Sequence, residues 1–216
     1  MDMLTSKILA QTSVFLALLP ALVALLNWKN LNHAQRLLSN LVFVAVLTEL
    51  FAYLLARMEV NNLFISHIFT IVEYLLLSLI YRKALSSVIP TKVFNLTMLL
   101  FLLYATFNGI WVESLTKFNG LSRAVSSLII LFYALAYFYK LLKEVKIKRL
   151  ETEALFWLSV GLLLYFSANF FIFIFSNYIQ PSVKLSFTFW GIHAILNITR
   201  YIFYTIALWI KPPKRV

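Results

Sequence analysis

From Leu41 to Ala56 only Thr48 and Glu49 interrupt an otherwise apolar run, and comparable runs recur along the whole chain. Stretches of about 20 apolar residues match the thickness of a bilayer's hydrocarbon core when wound as an α-helix. Outer-membrane strands need alternation in segments of about ten, which is absent here. Composition agrees: 62% of residues are hydrophobic and 12% charged, against about 25% charged in soluble domains. The expected fold is all-α, a polytopic membrane protein forming a seven-helix bundle.

The runs place spans at about 8–27, 37–56, 64–82, 94–112, 121–140, 154–176 and 186–210. Polar or helix-breaking residues separate them, among them Asn61-Asn62, Pro90-Thr91-Lys92, Asn119-Gly120, Asn177 to Ser182 and Pro212-Pro213. Pro20 is expected to kink the first helix, because it removes one backbone donor and crowds the preceding turn. The longest connector, 141–153, leaves no room for a separate soluble domain, so residues 1–216 read as one membrane domain.

Orientation follows from basic residues in the short connections. The loops after the first, third and fifth spans, with the tail, hold 13 of the 19 Lys and Arg; the opposite side holds five, and Arg200 lies within the seventh span. The N-terminus is therefore expected outside and the C-terminus in the cytoplasm. A cleaved signal peptide over the first 24 residues is the competing reading, but it would leave Lys29 and Arg36 outside. The net charge of +11 fits basic loops against anionic lipid, and nucleic acid is not an expected partner. With no cysteine, disulfides, thiolate metal sites and cysteine nucleophiles are excluded.

Six of the eight acidic residues fall in loops or termini; Glu49 and Glu73 lie inside the second and third spans. Ionisable groups at such depth are costly and are usually paired or functional. On the seventh span His193, Asn197 and Arg200 follow at i, i+4 and i+7, one helical face, with Trp190, Tyr201 and Tyr204 alongside. Ser66, Thr70 and Glu73 form a stripe on the third span; Asn169 lies in the sixth, and Tyr104 with Asn108 in the fourth. At 1.5 Å per residue, Glu49, Asn169 and His193 lie roughly 10 Å from the outer surface, Glu73 roughly 13 Å and Arg200 roughly 21 Å. Glu49, Glu73, Asn169, Trp190, His193, Asn197 and Arg200 are thus expected to form an outer-half polar pocket for a small ligand or ion. The bland alternative is a network of polar side chains that merely ties helices together. Within the pocket Glu73 is expected to pair with Arg200, and Glu49 to be neutral or bonded to His193.

Glu49 and Glu73 are separated by 24 residues, as are Asn169 and His193, and a shift of 120 superposes the first three spans on the last three. Chance agreement of helix and loop lengths is the preferred explanation. His-Glu-x-x-His, Gly-x-Ser-x-Gly and P-loop motifs are absent, so a non-enzymatic protein is preferred.

Seven helices, an outside N-terminus and a polar pocket on the last span resemble, in shape and without a family motif, microbial-rhodopsin-like and other heptahelical sensor proteins. The chain also looks like small bacterial seven-helix proteins, which implies a bacterial inner membrane. The resemblance implies a receptor-like sensor acting through a separate cytoplasmic partner. Rhodopsins bind retinal through a lysine in the seventh helix; here none lies between Lys184 and Lys211, so no covalent retinal, and no other cofactor, is expected. Protein expressed with retinal should give no visible Schiff-base band, and a band lost on borohydride treatment would refute this. Two other readings stay open: a proton- or cation-coupled transporter, and an intramembrane enzyme holding a metal through Glu49, Glu73 and His193.

Overall fold

The computed structural model describes residues 1–144, 149–176 and 182–211. All regular structure among them is helical: α1 (Met3–Leu16), α2 (Leu18–Asn27), α3 (His33–Arg57), α4 (Leu63–Ala84), α5 (Thr91–Phe107), α6 (Gly120–Glu144), α7 (Ala154–Ile174) and α8 (Val183–Trp209), with short 3-10 or π turns between some of them. Six segments are long and apolar enough to cross a membrane: Met3–Asn30, α3, α4, Thr91–Val112, α6 and α7. The 27 residues of α8 would also reach across, but its polar positions, Lys184, Thr188, His193, Asn197 and Arg200 among them, dilute its apolar character. The expected spans all coincide with helices, to within a few residues at most ends. Lys146, Lys148, Asn177, Lys214, Arg215 and the Pro212-Pro213 stop lie outside the described residues.

Local chemistry explains the helix ends. Asp2 caps α1, its Oδ1 accepting from the Thr5 amide at 2.8 Å. Hydrogen bonding from Thr5 holds that carboxyl below its usual range. The break expected from Pro20 falls at Ala17, where α1 gives way to α2; Pro20 has no N–H to offer the Leu16 carbonyl four residues earlier. A capping box opens α3: the Gln35 amide donates to Asn32 Oδ1 at 2.9 Å and the Asn32 amide to Gln35 Oε1 at 3.0 Å. The same Gln35 side chain donates to the Ala207 and Ile210 carbonyls, tying the start of α3 to the end of α8.

The start of α6 has an unusual cap. The chain leaves α5 through a π turn, Asn108–Val112, and passes Ser114 in the left-handed region at φ 51°. This returns the buried Glu113 carboxylate onto the Leu121 amide, 3.0 Å from both its oxygens, while Asn108 Nδ2 donates to Glu113 at 2.7 Å and to Ser122 at 3.0 Å. An acid here meets the positive end of the helix dipole. Gly120 is required at this junction, since a Cβ would lie 2.6 Å from the Phe173 carbonyl and collide with Ser176 Oγ.

Packing follows a ring. The α1–α2 pair rests on α8, α2 on α3, α3 on α4, α4 on α6, α6 on α7, and α7 on α8, which closes the circuit. The fifth helix lies outside it, chiefly against α4, and buries only Phe94, Phe101 and Ala105. Residues made equivalent by the 120-residue shift do different things: Asn169 and His193 touch, whereas Glu73 turns to Arg200. Every fully buried residue of α3 lies at or before Ala45, and beyond Val46, which still packs on the core, the helix is only partly covered, at Thr48, Ala52 and Leu55. Its large side chains there, Leu47, Leu50, Phe51, Tyr53 and Leu54, are exposed.

Candidate functional site

The face of α8 carrying His193, Asn197 and Arg200 points into the ring. Arg200 is 4% exposed, and its Nη1 donates to Glu73 Oε1 at 2.6 Å, a buried ion pair joining α8 to α4. Its guanidinium also stacks on Tyr165 of α7, 4.1 Å from the ring centre, with Tyr201 and Tyr204 close by. The pairing expected from depth alone is therefore the one formed.

Two turns toward the N-terminal side, His193 bridges two amides. Asn169 Oδ1 lies 2.6 Å from Nδ1, and Asn197 Nδ2 lies 3.0 Å from Nε2. A carbonyl oxygen only accepts and an amide nitrogen only donates, so Nδ1 carries the proton and Nε2 accepts. Both nitrogens are then engaged in the neutral ring. Trp190 and Phe173 pack edge-on against the imidazole, and Trp190 also meets Phe118.

A cavity of about 170 Å³ opens beside this cluster in the N-terminal-side half of the ring. Thr48 and Glu49 of α3 line it with Ser66 of α4, Arg123 of α6, Tyr165 of α7, and His193, Asn197 and Arg200 of α8. Four of the lining residues own buried polar atoms with no hydrogen-bond partner among the described residues: Ser66 Oγ, Arg123 Nε, Asn197 Oδ1 and Arg200 Nε. Arg123 makes no ion pair among the described residues; its guanidinium lies over the faces of Phe118 and Phe173 at 5.7 and 5.3 Å. Buried polar atoms left unpaired are uncommon in folded proteins and costly, so such a concentration marks a place where polar matter from outside is accommodated.

Of the seven residues expected to form the pocket, Glu49, His193, Asn197 and Arg200 line the cavity. Glu73 and Asn169 lie behind them, orienting Arg200 and His193, and Trp190 packs on the imidazole. The Glu49–His193 bond is not formed: the amides occupy His193, and Glu49 stays exposed on the α3 wall. The proposed metal triad is not assembled either. Among the described residues no group of three His, Asp or Glu is placed to hold a metal ion. Glu73 is bound to Arg200 and both His193 nitrogens are engaged, so two of its three members are already committed. Asn108 belongs to the α6 cap rather than to the pocket, and His67 is buried, its Nε2 3.1 Å from the Lys117 carbonyl. Arg123 and Tyr165 were not expected in the site. Arg123 sits three residues into α6, where position alone reads as a loop-edge charge, and Tyr165 is one of 11 tyrosines in the chain.

No protein-family model, curated protein or solved structure matches this chain. The site is therefore read from its own chemistry, and the class that fold and site define together is a multi-pass helical membrane protein with a polar cavity among its helices.

Proposed function

We propose that this chain is a receptor-like membrane sensor crossing the cell membrane seven times, with α8 as the seventh span. Its N-terminus lies outside and its C-terminus in the cytoplasm, so the cavity occupies the outer half of the bilayer. A small ligand binds there, and the occupied state is passed to a separate cytoplasmic partner. The observation that carries this reading is the cavity: five helices supply its polar wall, and four lining residues have unpartnered buried polar atoms. Purely structural networks close on themselves, since each unmet polar group costs stability. Asn197 is the group through which occupancy reaches α8, because one of its amide ends holds His193 and the other is unpartnered.

The test is ligand-dependent stabilisation. A library of small polar compounds screened against the purified protein should yield binders that raise the melting temperature, and Asn197→Leu and Arg123→Gln should each abolish the shift. Binders unaffected by both changes would place recognition elsewhere. Topology is checked separately: a reporter fused after Val216 should act only in the cytoplasm and one at the N-terminus only outside. Two termini reporting from one compartment would overturn seven spans.

One observation favours transport as a second reading. Beneath Arg200 the polar side chains continue through Tyr204, Ser78, and the Tyr81–Ser159 hydrogen bond at 2.9 Å, all buried. They are packed among Leu77, Ile80 and Tyr133, so a transporter would have to open this half. Substrate-driven flux in proteoliposomes would establish that alternative over sensing.

A further inference from the structure

A second cavity of about 320 Å³ adjoins the first, on the face of α3 and α4 turned away from the ring. It is lined by Val44, Leu47, Thr48, Phe51, Leu55, Phe64 and Ile65. Thr48 and Ile65 line both spaces, so polar cavity and apolar groove are neighbours across the same gap between two helices. The gap lies where α3 has no fully buried residue, beyond Ala45. In a membrane this face meets acyl chains, and the cavity is therefore accessible sideways from lipid.

Resting on the ligand-binding reading above, we propose that the ligand is a single-chain amphiphile entering from the outer leaflet between α3 and α4, its head, which carries an anionic oxygen beside a hydroxyl or ammonium, in the cavity and its chain in the groove. The charges select the head. Arg200 is matched by Glu73, whereas Arg123 rests on aromatic faces and makes no ion pair among the described residues, its charge partner across the cavity being Glu49 on the α3 wall. An anionic oxygen supplies the direct contact that Arg123 lacks. Glu49, on the α3 wall of the same cavity, makes no ion pair among the described residues and accepts from a hydroxyl or ammonium of the head. The apolar groove adds affinity through buried chain area, which a water-borne ion of the same charge cannot use. One occupant thus accounts for the missing direct contact of Arg123, the exposed Glu49 and the groove beside them.

The test uses the full chain in phosphatidylcholine nanodiscs with a lysophosphatidylethanolamine whose chain carries a diazirine. After irradiation, labelled peptides should concentrate on residues 44–55 and 64–65. Unlabelled lysophosphatidylethanolamine should compete, while head-only glycerophosphoethanolamine and neutral monoacylglycerol should each be weaker by at least about tenfold, the effect of losing one good charged contact or the chain. Arg123→Gln and Glu49→Gln should reduce labelling by a similar factor, and Arg123→Lys, which keeps the charge, should reduce it less. Leu47→Trp, on the lipid face away from the ring, should block the groove while the elution profile stays that of the folded protein.

Equal competition by the head-only compound would mean a water-borne ligand: the sensor reading would stand and the lateral amphiphile would be overturned. Equal competition by the neutral lipid, or labelling spread evenly onto the exposed side chains of α5, would overturn the proposal as ordinary lipid contact. Cross-links between α3 helices of two chains in place of lipid labelling would assign the groove to self-association and overturn it too.

Discussion

Glu73→Gln and Arg200→Leu will each destabilise the protein by about 3–5 kcal/mol, while the double substitution recovers much of the loss. The asymmetry has a simple origin. Glu73 and Arg200 are 6% and 4% exposed and meet at 2.6 Å, so deleting either partner strands a buried charge. Deleting both removes the need for compensation. Recovery will be incomplete, because Arg200→Leu also removes the stacking of the guanidinium on Tyr165 at 4.1 Å. Melting temperatures of the four proteins in one detergent form the required cycle. Losses that simply add in the double variant would show that the two side chains are energetically independent.

The second large effect lies away from the cavity. Glu113→Ala will leave the Leu121 amide and Asn108 Nδ2 without their shared acceptor, at about 1–3 kcal/mol for each orphaned donor. It also removes a negative charge from the start of α6. Glu113→Gln keeps an acceptor oxygen and should cost less than half as much. The measurement is thermal unfolding combined with hydrogen exchange at the first turn of α6. Exchange there should rise in Glu113→Ala before the rest of the bundle opens. Protection unchanged at Leu121 would mean that the carboxylate is not the cap.

Much of this architecture was legible in the residues because the bilayer leaves few choices. A backbone in hydrocarbon must satisfy its own hydrogen bonds, so each apolar run becomes a helix whose length follows from membrane thickness. The i, i+4, i+7 spacing of His193, Asn197 and Arg200 likewise fixed a shared face without reference to any neighbour. Even the Glu73–Arg200 pair could be anticipated, since two opposite charges at nearby depth have few other partners.

The rest depended on which helices become neighbours and how their side chains divide the available partners. Asn169 and Asn197 reach His193 and so keep it from Glu49; helix periodicity cannot tell which of several polar groups arrives first. Arg123 enters the cavity because α6 packs against α4 and α7, an adjacency that no local pattern in Ser122 to Ser127 encodes. Glu113 looks like an ordinary loop acid until the π turn and the left-handed Ser114 fold it back onto α6. The amino-acid sequence by itself determined helix positions and faces, because desolvation of backbone and charge acts residue by residue. Only the tertiary structure decided the ring order, the loosely held half of α3 and the joined polar and apolar cavities, because these arise from competition among side chains far apart in the chain.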